Sequence, residues 1–134
     1  MIFKKCDYPL LPDNDFDMDS LLDEVDSLKI SISDNLKNII VLQFNDHFAY
    51  RCRDEGDALK TLNQIRLTGG LGYTLYEVTN SEFIKWFLEE RTYECEGLRH
   101  FCVLTLNWVI DVISLTPPAL HSSSDYCAEK IFGG

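Results

Sequence analysis

The segment from Asp13 to Asp26 holds the densest group of residues that could do chemistry. Half of its fourteen residues are acidic and none is basic, so it carries 7 of the 22 carboxylates in a chain of net charge −10. The seven are Asp13, Asp15, Asp17, Asp19, Asp23, Glu24 and Asp26. Carboxylates at this density bind hard cations or attract basic proteins.

A calcium loop is the sharper alternative. Asp13, Asp15, Asp17, Asp19 and Glu24 fall on positions 1, 3, 5, 7 and 12 of such a loop. However, Met18 stands where the loop's sharp turn normally needs glycine, and Pro9 and Pro12 exclude a preceding helix. A solvated or protein-binding acidic face explains the run better, and calcium binding through Asp13–Glu24 stays an alternative.

Motifs for catalysis or for a bound cofactor are missing from the sequence. The histidines are His47, His100 and His121, and neither they nor the cysteines have the spacing of a zinc site. No G-x-S-x-G occurs, and Ser122–Ser124 with Asp125 lies in a segment that we expect to be loose. The sequence therefore predicts a protein that is not an enzyme and has no cofactor or metal.

Two glycine motifs resemble functional signatures only superficially. Thr68–Gly72 lacks the Lys-Ser/Thr of a phosphate loop and follows a predicted helix, so we interpret it as a helix stop. The end of the sequence, Gly133-Gly134, is also found in sulfur-carrier proteins, but two residues carry little weight, and we expect a flexible tail.

A protein-binding role needs both charge and an apolar anchor. Further carboxylates flank the predicted helices and loops, and Trp86 and Tyr93 are aromatic side chains able to anchor an interface. The predicted partner-binding residues are Asp13, Asp15, Asp17, Asp19, Asp23, Glu24, Asp54, Glu55, Asp57, Trp86, Tyr93, Glu94 and Glu96.

Composition narrows the class of partner. A pI of about 4.6 argues against direct binding to nucleic acid or to anionic membranes, because both need clustered lysine and arginine. Five cysteines form no C-x-x-C pair, and an odd number suits a reducing cytoplasm. The first residues lack the apolar run and small-residue cleavage site of a signal peptide.

Hydrophobic periodicity predicts alternating helices and strands within one α+β domain over residues 1–134. An extended acidic entry (1–18) precedes a short helix with Leu21, Leu22, Val25 and Leu28 inward. Strands follow at Asn38–Phe44 and His47–Arg53, joined by Asn45-Asp46 as a hairpin. The later predictions are a helix from Ala58, a strand at Tyr73–Thr79, a helix at Ser81–Arg91, a strand at His100–Leu106, a helix through Val109–Ile113 capped by Asn107, and a flexible tail (121–134). The expected architecture is a sheet of about four mainly antiparallel strands packed with three to four helices.

Four of these segments together resemble a known class of small bacterial proteins. They are Tyr73–Ser81, Phe83–Phe87, His100–Asn107 and Val109–Val112 before Pro117-Pro118. The pattern is similar to the strand, Trp-containing helix, H-[YF]-x-[IV]-x-T-x-[DN] strand and D-V helix of immunity proteins. Those proteins are encoded beside contact-dependent growth inhibition and other polymorphic toxins. The resemblance covers about residues 40–118 and rests on structural positions.

The resemblance implies a cytoplasmic protein that binds the C-terminal domain of one toxin, a basic nuclease, and blocks it. A dense carboxylate face would compete for the surface that such a nuclease presents to phosphates. A phage-type acidic inhibitor or DNA mimic, which binds a host nucleic-acid enzyme, uses the same acidity and is the main alternative. The oligomeric state is not predicted.

Overall fold

The computed structural model describes residues 1–8, 11 and 15–122, and within them the chain forms nine strands and two α-helices. The strands are β1 (Ile2–Lys5), β2 (Asp17–Asp23), β3 (Leu28–Ser33), β4 (Ile39–Phe44), β5 (His47–Asp54), β6 (Leu75–Thr79), β7 (Arg99–Leu104), β8 (Trp108–Ser114) and β9 (Ala119–Ser122). The helices are α1 (Leu59–Thr68) and α2 (Glu82–Glu89), and a 3-10 turn spans Glu55–Asp57.

The strands form two antiparallel sheets that pack face to face. Sheet A has the order β1-β6-β7-β8-β5, and sheet B has the order β2-β3-β4-β9. Alternate residues of β3 and β4 point inward, with Leu28 opposite Phe44 and Ile30 opposite Leu42. They pack in one core against side chains of sheet A that include Leu75, Phe101, Val103, Ile110 and Val112. This arrangement is a β-sandwich.

The two helices cover the outer face of sheet A. Ala58 and Ile65 at α1 share a second apolar cluster with side chains of four strands: Phe3, Tyr76, Val78, Cys102 and Val109. Gly69 ends α1 against β1, where a Cβ at this position would collide with the carbonyl oxygen of Phe3. Helix α2 packs through Phe83, whose ring meets His100 of β7 edge to face.

The predicted α+β architecture with a four-stranded sheet and three to four helices is wrong. The helix expected at Leu21–Leu28 is instead β2, a turn and β3, because Leu21 and Leu28 both face the sandwich core while Val25 lies in the turn. The helix expected over Val109–Ile113 is β8, with β7 on one side and β5 on the other. Its β-branched residues favour a strand that is buried on both faces.

The predicted hairpin at Asn45-Asp46 is also wrong, although both of its strands exist. Strand β4 pairs with β3 and β9, whereas β5 pairs with β8, so this turn passes from sheet B to sheet A. The strands predicted at 73–79 and 100–106 and the helices predicted from Ala58 and Ser81 are present with shifted ends. Of the extended entry, Ile2–Lys5 is strand β1, and of the tail, His121 and Ser122 belong to β9. Among the described residues no helix is long and apolar enough to cross a membrane.

Candidate partner-binding surface

Two acidic segments that are about 40 residues apart in the sequence meet beside the β7–β8 hairpin. Asn107 in that hairpin links them: its side-chain oxygen accepts from the Met18 amide at 3.0 Å, and its carbonyl accepts from the Glu55 amide at 3.3 Å. Asp17 therefore lies near the 3-10 turn that carries Glu55 and Asp57, and Asp54 stands opposite Trp108 in the β5–β8 register. We call this end of the sandwich the hairpin end.

The hairpin end contains a cleft of about 280 Å³. Its walls are mainly apolar, formed by Phe16, Leu62, Leu71, Tyr73, Leu104 and Leu106, and the charged residues among its lining are Asp15 and Glu55. Leu71 and Leu106 are each 50% exposed, and both acids are exposed. We call this feature the acidic cleft, and it combines desolvatable surface with negative charge.

Hydrogen bonds of the backbone hold the walls of the acidic cleft. The Leu106 amide donates to the Phe16 carbonyl at 2.8 Å, and the Leu104 amide donates to the Thr74 carbonyl at 2.7 Å. The Thr105 hydroxyl lies 2.9 Å from the Trp108 carbonyl and 3.0 Å from the Trp108 amide, which closes the hairpin turn. A wall fixed in this way is preorganised for binding.

Other predicted acidic residues lie away from the hairpin end. Asp19 occupies an irregularity in β2 and accepts from the Ser33 hydroxyl at 3.0 Å. Asp23 and Glu24 lie at the far end of β2, where Asp23 approaches His47 at 3.0 Å and Glu24 pairs with Lys29 at 2.9 Å. Asp13 lies outside the described residues.

Trp86, Tyr93, Glu94 and Glu96 belong to the opposite end of sheet A or to its outer face. The loop that carries Tyr93, Glu94 and Glu96 leads into Arg99, which pairs with Ser114, at the far end of β7 from the hairpin. Since β7 has 6 residues, the two ends are about 17 Å apart. The acidic residues that the sequence predicted as one partner-binding set therefore lie at two opposite ends of the sandwich.

An aromatic surface accompanies the second group. Arg91 lies over three rings, those of Phe48, Phe87 and Tyr93, at 5.7, 5.3 and 4.7 Å. Trp86, which is 52% exposed, stacks on Phe83. We call Phe48, Trp86, Phe87, Arg91 and Tyr93 the aromatic patch. Tryptophan, tyrosine and arginine are the residue types most often found at the energetic centre of interfaces.

The backbone of the acidic segment differs from that of a calcium loop. Asp17–Asp23 is an extended strand, so its two ends are about 20 Å apart, and Glu24 follows the far end instead of folding back toward Asp17 as the last ligand of a calcium loop would. Among the described residues no group of three or more His, Cys, Asp or Glu side chains is placed to hold a metal ion.

Sequence reasoning missed a buried polar network beneath α2. Asp111, which is 0% exposed, receives Arg51 Nε at 2.8 Å and Arg53 Nη2 at 3.0 Å on one oxygen, and His100 Nε2 lies 2.6 Å from the other. His100 Nδ1 lies 2.7 Å from the Ser81 hydroxyl oxygen. The available signal was a lone aspartate within an apolar run, since a buried carboxylate requires partners.

The order of groups in this network, Ser81, His100 and Asp111, resembles a nucleophile, base and carboxylate. However, His100 is only 1% exposed, and the Ser81 oxygen accepts the Ile84 amide at 3.0 Å as the N-cap of α2. Burial opposes the ionised form of Asp111, but the hydrogen bond and charge of His100, together with Arg51, lower its pKa to about 2. We assign the network to the fold, as the link between α2 and sheet A.

The described cysteines are all free: Cys6, Cys52, Cys95 and Cys102. Burial raises the pKa of the Cys102 thiol well above its ordinary value and also raises that of Cys6. Thiols held protonated in this way are poor nucleophiles and poor metal ligands.

No protein-family model matches the chain, and no curated protein and no solved structure shows significant similarity to it.

Proposed function

We propose that this protein is an immunity protein that binds the basic C-terminal domain of a toxin, a nuclease, in a stoichiometric complex and thereby blocks it. One observation carries the proposal: the fold brings Asp15 and Glu55, from two acidic segments that are distant in sequence, to the lining of one apolar cleft. Charge at the rim steers a basic partner, and apolar surface within the rim supplies contact area that can be desolvated.

The rest of the molecule is suited to a rigid binder. The two sheets share a core of large buried side chains. This core supports the hairpin end, which can therefore bind a partner without rearrangement of the fold. The four cysteines within the described residues are free, which suits a reducing compartment, and we propose that the protein acts in the cytoplasm, where it would meet a toxin that enters the cell.

Capture of the partner and inhibition of its activity test this proposal. Tagged protein is incubated with lysate of the native strain, eluted with a salt gradient and analysed by mass spectrometry. We expect one basic toxin fragment in about equal amount, released only at high salt. The purified fragment should then lose its nuclease activity at one equivalent of the protein.

Other outcomes of that experiment point to other functions. A host nuclease or polymerase as the captured protein would replace the immunity proposal with a phage-type inhibitor or DNA mimic. A captured toxin that remains fully active at excess protein would contradict inhibition. A double variant, Asp15→Asn with Glu55→Gln, tests whether these two exposed carboxylates carry the capture.

A further inference from the structure

We propose that the acidic cleft receives one long basic side chain, of lysine or arginine, from the partner protein. The inference rests on the proposed function, and it names the group that the surface recognises. Such a side chain has an apolar stem and a cationic head, so it suits an apolar wall with an exposed carboxylate beside it. The acidic cleft offers both parts, with leucine and aromatic walls and with Asp15 and Glu55 among its exposed lining residues.

Other occupants fit the cleft less well. Its volume of about 280 Å³ is near the lower limit of small-molecule pockets, which begin at about 300 Å³. A purely apolar group would gain nothing from the carboxylates and would have to desolvate them. A bare metal ion needs several convergent ligands, and the described part of the chain has no such group.

The charge around the cleft favours a cation supplied by another molecule. No basic residue is among the lining residues. The nearby Lys5 lies 4.3 Å from the centre of the Tyr73 ring and pairs with Asp7 at 3.6 Å. Lys5 is thus already engaged by Tyr73 and Asp7, and Asp15 and Glu55 form no ion pair within the described residues.

Capture of this kind would explain inhibition as well as binding. A nuclease contacts the phosphate backbone through lysine and arginine side chains. A side chain that is held in the acidic cleft is no longer available to a phosphate.

The first test uses the full chain and a minimal probe. Two peptides, acetyl-Ala-Arg-Ala-amide and its norleucine analogue, are titrated into the labelled protein and followed by the methyl resonances of Leu62, Leu71 and Leu106. We expect saturable shifts at these methyls with the arginine peptide and weaker shifts with norleucine. Equal shifts with norleucine, or shifts spread evenly over all acidic surfaces, would overturn the proposal.

Matched variants locate the effect. Glu55→Gln should lower the affinity for the arginine peptide about tenfold, as expected for the loss of one charge-assisted contact. Glu96→Gln makes the same chemical change at the opposite end of sheet A and should leave binding unchanged. Equal weakening by both variants would mean that the peptide responds only to overall charge.

The same variants separate this inference from the proposed function. If Glu55→Gln and Leu106→Ala bind and inhibit the toxin like the wild type, the immunity function stands and the cleft proposal fails. If the peptide binds at the cleft but no toxin is captured or inhibited, the cleft proposal stands and the function fails. Thermal melting of each variant verifies that it is folded, and both positions are substantially exposed.

Discussion

The buried Asp111 shows how much a single residue can decide in this fold. It lies in the middle of β8, between apolar neighbours, and its two oxygens are occupied by Arg51, Arg53 and His100. The sequence shows Arg51 and Arg53 on one face of a strand, and that alternation is confirmed. The sequence does not show that this face of β5 is the more buried one, because it is buried by contacts with α1 and α2.

Asp111→Asn should lower the free energy of unfolding by about 3 kcal/mol, because it leaves two arginines and a histidine without their anionic acceptor. We place the loss at the low end for a broken buried ion pair, since both guanidinium groups retain some contact with water. Urea denaturation at neutral pH measures the change. Asp7→Asn is the control, since Asp7 is exposed and forms a surface ion pair with Lys5, and this variant should unfold like the wild type.

Acid should remove the contribution of Asp111 in a defined pH range. Its pKa in the folded protein is about 2, below that of an unfolded aspartate, about 3.9. Between these two values Asp111 binds fewer protons in the folded state than in the unfolded state. Its contribution to the free energy of unfolding is therefore complete above pH 4 and declines as the pH falls towards 2. Urea midpoints at pH 7, 4, 3 and 2.5 should decrease less steeply for Asp111→Asn than for the wild type. Parallel decreases would assign acid sensitivity to other carboxylates, such as Glu77, whose pKa the hydrogen bond from Arg99 lowers.

At the scale of elements, the hydrophobic pattern predicted most single helices and strands. It failed where the same spacing of apolar residues fits both a helix and a pair of strands. Leu21, Leu22, Val25 and Leu28 have helical spacing, but the same positions fit two short strands and a turn. Val25 has φ 74°, which is costly for a β-branched residue, and periodicity gives no signal of such a turn. Pairing between distant strands, such as β5 with β8, cannot be read from one sequence at all.

The close approach of α1 to β1 depends on the glycine that ends the helix. Gly69→Ala should destabilise the protein by about 1–3 kcal/mol, because the new methyl group meets the Phe3 carbonyl and one element must shift. Gly56→Ala is the matched control. Its Cβ would lie 3.2 Å from Asp54 Oδ1, the oxygen that accepts the Gly56 amide, and a shift of a few tenths of an ångström relieves this contact, so we expect a change within about 1 kcal/mol. Equal losses in urea denaturation would show that α1 does not rely on this contact.

At the scale of the whole molecule, the sequence predicted the sign of the charge and not its arrangement. Composition alone gives a net charge of −10 and so a preference for basic partners. The acidic run, however, extends along β2, so its members reach both ends of the sandwich. The acidic cleft depends on the contact of Asn107 with both Met18 and Glu55, which are residues that no local pattern connects.

Two variants of identical net charge can separate a local effect from a global one. Asp15→Lys with Asp17→Lys alters the hairpin end, whereas Glu94→Lys with Glu96→Lys alters the loop before β7. If the partner docks at the acidic cleft, the first pair should slow association at low salt by at least about tenfold and flatten its salt dependence. The second pair should slow it only modestly, through the change in net charge that both variants share. Stopped-flow association rates with the captured toxin fragment, measured over a range of salt, decide the question. Equal rates would mean that only net charge steers the partner, and a larger effect of the second pair would move the interface to the aromatic patch, where Tyr93 and Arg91 would be its anchors.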